Sequence, residues 1–525
     1  SCLLILVFGI FWLSQRPTRS STQNDSGPTQ VLTPLLAETE SCLQAILSLR
    51  KVGNTQAMAQ RAQASETVCR EFIHAHPQLA EPHYQLGRIY RALMRNPEAL
   101  AEQQRALSIE PKHPNALYER ILLATDLILR RISELEKGEW ALEESLARLV
   151  EEEQSDQQPN LSLKALSLKA IALRDRSASN WIDQVRSDLK SLLQHPETTP
   201  PLPAGPYRAI RGLHAWFNND PSRARDLLAQ AHQMSPDLSE IYRILATIEL
   251  YEGHFEQSID WWSRGLSRDA GYSPHLTGRG WTYFRWARSL AQKGKSPEPL
   301  IRKALSDMTQ MIKISPGLVD VLWSRATTNL WFANFRVEQQ RDPTPYYEAA
   351  QEDYEQALRK RPTNAQLMAF LGQVRGWWGA YHVSQDIDPS ALWESARENF
   401  NRAIALHPEN GFIYMLRGSF SLEKAWQESR RGHDPSPLLK KSLEDFNQSI
   451  ELQPESISGW RLRGTLLQFW AGWKAGNNQD PAELFRRAAQ DMQQALKRSP
   501  KLLTTRYSLA GTHSLWMQSE AKNGR

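Results

Sequence analysis

Cysteine is scarce in this chain of 525 residues, with three copies at Cys2, Cys42 and Cys69. So few thiols cannot staple a chain of this length, and the fold must rest on buried apolar surface instead of a disulfide framework. Charge of one sign is also lacking. Lys and Arg number 63 against 58 Asp and Glu, a net charge of +5, and no basic stripe stands out. The electrostatic footprint of a nucleic-acid protein is therefore missing, and no nucleic-acid partner is predicted. Glycine is modest at 26, and no Walker loop, HExxH, GxSxG or zinc-type Cys/His spacing occurs. His74 and His76 form an HxH pair with no carboxylate or thiol set at ligand spacing, which reads as helix surface. The sequence predicts no catalytic residue, no metal and no cofactor.

Long hydrophobic runs are missing too. The apolar stretch from Cys2 to Leu13 has 12 residues, short of the ~20 that a bilayer requires. It reads as the tail of a spanning helix that begins upstream, or as the core of a signal segment. Residues 14–34, rich in Ser, Thr, Gln and Pro, read as a disordered spacer. Together these predict a membrane-anchored, single-pass protein. Arg16 and Arg19 favour the cytoplasmic side by the positive-inside rule, which leaves orientation open. Cys42 and Cys69 could bridge a helical hairpin, but two buried free thiols fit the sequence better.

What the chain does have is repetition. Pro316, Pro362, Pro408, Pro454 and Pro500 stand 46 residues apart and close segments of similar text, AIALHP and SIELQP among them. Position ten of each unit is small (Gly280, Ala326, Gly372, Gly418, Gly464, continued by Ala510), and so is position seventeen (Ala287, Ala333, Gly379, Ala425, Ala471). Two helical turns separate them, which defines one face of a first helix. A second helix carries Ala304, Ala350, Ala396, Ser442 and Ala488, then Met308, Tyr354, Phe400, Phe446 and Met492, then an aliphatic column, a buried stripe at spacings of four. Asp-Pro pairs before it (Asp342-Pro343, Asp388-Pro389, Asp434-Pro435, Asp480-Pro481) predict an N-cap with proline at N1.

These columns resemble the tetratricopeptide repeat. Pro77 and Pro111 are 34 residues apart, with Leu86, Gly87, Tyr90, Ala99 and Ala106 at the family's spacings between them; Gly212, Ala224, Ala231 and Pro236 repeat the pattern. The long units exceed the family length by 12 residues, all between the first-helix small residue and the second-helix Ala. The resemblance implies an all-α fold, an α-α superhelix in which five elongated hairpins follow several ordinary ones. It also implies first helices that line a concave groove for protein or peptide partners. The predicted organisation is an apolar segment at 1–13, the spacer at 14–34, an N-terminal arm at 35–195, a Pro-rich hinge at 196–206 and a C-terminal array at 207–525. A membrane span, a spacer and such an array together are similar to the C-terminal region of bacterial membrane-anchored serine/threonine kinases. That architecture implies an extracytoplasmic sensor arm, with any kinase domain upstream.

Within the repeats, Arg279, Arg325, Arg417 and Arg463 each accompany an acid 28 residues later: Asp307, Asp353, Asp445 and Asp491. The third long unit lost both charges together, with Leu371 and Asn399 in their places. Joint loss predicts ion-paired struts across each hairpin, not an anion-binding ladder. Groove positions four, seven, eleven and fourteen hold Trp281, Trp323, Gln366, Gln373, Arg461, Gln468 and Tyr507, a mixture suited to an extended peptide or to a glycan. Trp286, Trp331, Trp377, Trp378, Trp470 and Trp516, in columns fifteen and sixteen, are predicted to fill the enlarged hairpin interior. The function predicted is a non-catalytic scaffold for protein partners; the alternatives are an autonomous cell-envelope assembly factor and a carbohydrate-binding solenoid.

Overall fold

The structure, a computed structural model, describes residues 28–51, 54–138, 176–194, 200–218, 220–236, 238–268, 273–314, 317–498 and 503–522. These residues form 21 helices and no strand. The N-terminal part holds α1 (Pro28–Lys51), α2 (Thr55–Ala75), α3 (Glu81–Ala92), α4 (Asn96–Ile109), α5 (Pro114–Gly138) and α6 (Arg176–Leu193). Two hairpins of ordinary length follow, α7 (Ala204–Phe217) with α8 (Pro221–Met234) and α9 (Ser239–Tyr251) with α10 (Phe255–Arg268). The five long hairpins pair α11 (Ser273–Gln292) with α12 (Glu298–Ile314), α13 (Val319–Glu338) with α14 (Thr344–Lys360), and α15 (Ala365–Ser384) with α16 (Ser390–Leu406). They continue with α17 (Gly411–Arg430) and α18 (Ser436–Leu452), then α19 (Ile457–Gly476) and α20 (Ala482–Arg498), and α21 (Leu503–Lys522) stands last. Each helix packs on its hairpin partner and on the next hairpin, the arrangement of an α-α superhelix.

The membrane expectation is corrected. Among the described residues no helix is long and apolar enough to cross a membrane, so a single-pass anchor has no support in the structure. The run from Cys2 to Leu13 lies outside the described residues. The kinase-arm reading leaned on that anchor and is not carried forward. Helix α1 begins at Pro28, inside the stretch read as spacer. Cys42 and Cys69 are buried free thiols, and burial pushes the Cys69 thiol up to about 12.

One core spans the segment read as a hinge. Leu117, Ile121 and Leu122 of α5, Leu189 of α6, Leu202 of the connection itself and Ile210 and Leu213 of α7 belong to a single apolar cluster. Arg91 of α3 ion-pairs with Glu240 of α9, and Arg243 of α9 with Asp126 of α5. The two arms are therefore packed together through buried apolar surface and charge.

The extra length of the long units is mostly helix. First helix α11 has 20 residues against 13 in α9, and second helix α12 has 17 against 14 in α10. The lengthened first helices all stop at one column, where Gly294, Gln340, Asp386, Gly432 and Asn478 adopt positive φ (70°, 54°, 57°, 81° and 55°). Left-handed backbone at that point ends the helix by turning the chain. The second helices start one residue later than expected. Asp342, Asp388, Asp434 and Asp480 accept the backbone N–H two residues on (Thr344, Ser390, Ser436 and Ala482, 2.9–3.0 Å), with the proline between at the N-cap and not at N1. Proline's fixed φ already suits the helix, so the aspartate acts from the position before the cap.

The second-helix stripe is the hairpin core: Ala304, Ala350, Ala396, Ser442 and Ala488 are fully buried, as are Met308, Tyr354, Phe400, Phe446 and Met492. Each of the large side chains among them contributes about 1.5–3 kcal/mol on burial. The column-sixteen tryptophans do not fill hairpin interiors. Three of the four stack on the preceding unit's second helix, Trp286 on Phe255 (6.1 Å), Trp378 on Tyr347 (6.2 Å) and Trp516 on Phe485 (6.4 Å), always 31 residues back, while Trp470 has Leu439 in that place and shares its apolar cluster. The reason is direction: a side chain at this height on the first helix faces along the array. Unit-to-unit stacking is thereby aromatic and flat.

Candidate binding groove

The first helices α11, α13, α15 and α17 contact one another in sequence along the array, and their shared face encloses a groove of about 800 Å³. Most of its lining comes from positions fifteen to twenty-three of the units, the part of the first helix that exists only because the units are long. Its rings include Trp281, Phe284, Trp331, Phe335, Trp377 and Trp426. Ring pairs hold several in place: Phe284 meets Trp331 edge-on at 5.8 Å, and Trp331 stacks on Phe335 at 5.7 Å. Trp426 is 44% exposed, on offer to solvent.

Two tyrosines of α14 rise between first helices to form part of the floor. Their rings are buried, and the Tyr347 hydroxyl donates to Oδ1 of Asn334 at 2.7 Å while the Tyr354 and Thr327 hydroxyls share a hydrogen bond at 3.1 Å. Burial, followed by the nearby charges of Glu423 and Tyr381, pushes the Tyr347 hydroxyl well above the usual tyrosine range. It stays a neutral donor. On the far wall Gln427 of α17, itself buried, donates through Nε2 to Oε1 of Glu423 at 2.7 Å.

The sequence candidates for the groove scatter. Trp281 and Gln373 line it. Trp323 does not, which corrects the reading: it is 5% exposed and packs against Phe370 at 5.9 Å, beneath the surface. A large ring at position seven is drawn under the next unit's first helix by the apolar surface it covers there. Gln366, Arg461 and Gln468 are half-buried and lie outside the groove lining, and Tyr507 is 74% exposed on α21. Trp331, Trp377, Asn334, Tyr381, Trp426 and Glu423 were missed as groove residues. The signal was the 12-residue insertion itself, whose positions vary from unit to unit while the flanking columns repeat.

The paired charges join helices instead of facing the groove. Arg279 meets Asp307 with two bonds of 2.8 Å, Arg325 meets Asp353 (2.9 and 2.6 Å), Arg417 meets Asp445 (3.0 and 2.6 Å) and Arg463 meets Asp491 (2.8 and 2.7 Å). Each arginine's remaining nitrogen reaches the preceding unit, to Ser263, Thr309, Asn401 and Asn447. In the third long unit, Leu371 is buried and Arg375, one turn on, donates to Glu355 at 2.7 Å and Gln351 at 3.1 Å. Glu355 occupies the column of Thr309 and Asn401, so the contact between units is kept by a different arginine. Hydrogen bonds to the aspartates raise Arg279 and Arg325, whereas burial, opposed by the arginine, pushes the carboxyls of Asp353 and Asp445 above the usual range. The two partners pull in opposite senses; the cost of burying the carboxylate governs, because the guanidinium keeps more solvent contact.

Among the described residues no group of three or more His, Cys, Asp or Glu is placed to hold a metal ion. The chain matches no protein-family model and no curated protein. Solved structures similar to it include a tetratricopeptide repeat protein from Parabacteroides merdae ATCC 43184, 15% identical with a TM-score of 0.41, over 59% of this chain and 98% of that one. Yeast Tom70 is similar at 14% identity and a TM-score of 0.39, over 91% and 92% of the two chains. The human IFIT1 dimer with m7Gppp-AAAA is similar at 13% identity and 0.40, over 88% and 94%. At such identities and TM-scores these likenesses carry no argument, and the decisive features are this chain's own columns, hairpins and hairpin-to-hairpin packing: it is an all-helical array of stacked hairpins that is similar to tetratricopeptide arrays.

Proposed function

We propose that the array is a non-catalytic scaffold that holds an extended segment of a partner protein in the groove of its lengthened first helices. The observation that carries this is the contrast between columns. Positions that build hairpins repeat from unit to unit, while position eighteen along the groove reads Arg288, Asn334, Ala380 and Trp426. Packing does not require such variety; recognition of one particular sequence does. The volume and aromatic lining suit a peptide several residues long, anchored by side chains between rings and oriented by hydrogen bonds to hydroxyls and amides.

A peptide array probed with the purified protein tests the reading, with Trp331→Ala and Trp377→Ala as groove variants. Peptides that bind the native protein and lose at least tenfold affinity to either variant support it. Binding that ignores both substitutions removes the groove from the proposal. Chito-oligosaccharide and single-stranded RNA belong in the same experiment: tight binding of either, with no peptide bound, replaces the protein-scaffold reading.

A further inference from the structure

Four charged side chains line the groove, and they are not equally satisfied. Arg288 lies over Phe284 at 5.9 Å and Arg430 over Trp426 at 5.2 Å, so each arginine rests on a ring face. The other two are Glu338 and Glu423, and neither joins an ion pair with a described residue. Glu338 is exposed at the rim, whereas Glu423 is half-buried. Gln427 fixes Glu423 through Oε1 without neutralising it, and no described residue donates to Oε2. A neutral amide that orients a carboxylate while leaving its charge intact presets it for an incoming cation.

The surroundings agree. Trp377 and Tyr381 of α15 and Trp426 of α17 line the groove with Glu423, and the Tyr347 hydroxyl is close enough for the carboxylate's charge to push it up. Aromatic faces beside an uncompensated carboxylate favour a cation over an anion or a neutral group. Resting on the groove reading above, we infer that the bound segment carries a lysine or arginine between apolar side chains, its cation on Glu423 and its apolar neighbours on the rings of Trp331 and Trp377. The chain's net charge of +5 works the other way, favouring acidic ligands at long range. A preference for a basic segment must therefore come from this local site.

Three fluorescein-labelled, capped nonapeptides alternating leucine with lysine, with glutamine or with glutamate provide the probe, read by anisotropy on the full chain. The lysine peptide should bind at least tenfold more tightly than the glutamine peptide, with the margin shrinking as salt is raised. Glu423→Gln should reduce lysine-peptide affinity by about tenfold to a hundredfold, as expected for a charge-assisted hydrogen bond, and leave the glutamine peptide unaffected. Glu338→Gln, at the rim, should change either by less than about threefold. Equal binding of all three peptides, or a lysine preference that survives Glu423→Gln in a variant with native melting, overturns the inference while leaving the groove reading intact. If no peptide binds, or binding ignores Trp331→Ala and Trp377→Ala, the groove reading fails and takes the inference with it.

Discussion

The ammonium of Lys424 lies 5.0 Å from the ring centroid of Trp393, the residue thirty-one places before it, at the joint between the third and fourth long units. The same two columns hold Phe255 with Trp286, Tyr347 with Trp378 and Phe485 with Trp516, each a stacked pair. Where the second-helix partner is itself tryptophan, the first-helix partner is a cation instead of a second large ring. One joint is thus solved three ways, by ring stacking, by cation–π contact and, at Ile301 with Phe332 and Leu439 with Trp470, by an aliphatic side chain opposite a ring, and its registry is preserved.

Replacing Lys424 with Ala should therefore loosen this joint. A cation over a tryptophan is worth about 0.5–2 kcal/mol depending on how far it is desolvated, and the lysine stem also covers the ring. Thermal unfolding followed by circular dichroism should show a lower midpoint for Lys424→Ala, with Lys424→Arg close to native. Equal midpoints for all three would leave the contact without energetic weight.

Gly379 is the only glycine in its column, and it faces Trp393. A Cβ built there would lie 2.5 Å from the indole Nε1, closer than real atoms approach. The other units pair alanine with smaller partners: Ala287 with Ile301, Ala333 with Tyr347, Ala425 with Leu439 and Ala471 with Phe485. Gly379→Ala should destabilise by about 1–3 kcal/mol through overpacking, despite alanine's better helix propensity. Adding Trp393→Phe should recover most of that loss, since phenylalanine and alanine already coexist at Phe485 and Ala471. A double variant no more stable than Gly379→Ala would show that the clash lies elsewhere.

Asp445→Ala should lower the melting temperature by leaving the Arg417 guanidinium with one partner fewer in a half-buried place, a loss of about 1–3 kcal/mol. The third long unit suggests the remedy, because Leu371 and Asn399 fill the same two columns without charge. The double variant Arg417→Leu with Asp445→Asn should return to within about 1 kcal/mol of native, since a buried ion pair offsets little more than its own desolvation. If the double variant is worse than Asp445→Ala, the pair stabilises the array on its own account.

The repeat length, the hairpin pairing and the buried stripe were legible because one-dimensional stacking writes its core into columns. Joint loss of charge at Leu371 and Asn399 was legible for the same reason, whereas Arg375 was not, since the substitute arginine sits one turn out of register. Trp323 and the column-sixteen tryptophans misled because a large ring can serve a groove, a hairpin interior or a joint between units. Only the direction of the side chain from its helix separates these. Glu423 carried no sequence signal beyond its place in the lengthened part of the unit. Its character comes from α14, α15 and α17 meeting at one place, and no spacing along the chain records that.

Acid should unfold the two ends of this chain in order. In the N-terminal part, Arg61 and Ser65 hold the Glu38 carboxyl below its usual range despite opposing burial. Burial also opposes the shift at Glu66 and Glu81, where it is outweighed by Tyr90 and Arg70 and by His113 and Gln85, and at Glu240 of α9, where it is outweighed by Arg91 of α3. A depressed carboxyl contributes stability that is complete above its unfolded value of ~4.3 and is lost as pH falls through the lower folded value. At Asp353 and Asp445 of the long hairpins the sign reverses: burial raises them, so their contribution is present at low pH and fades as pH rises through the folded value, while the exposed Asp342, Asp388 and Asp434, held low by hydrogen bonds from Thr344, Ser390 and Ser436, contribute little at the surface. Between pH 5 and pH 3 the N-terminal helices should weaken while the long hairpins hold. No tryptophan occurs between residues 13 and 139, so tryptophan emission reports chiefly α6 to α21 and senses α5 only through the core it shares with Trp216. An acid titration should therefore show far-UV ellipticity falling at a higher pH than the emission shift; coincident transitions would mean that the chain unfolds as one unit and that these carboxyls do not set the order.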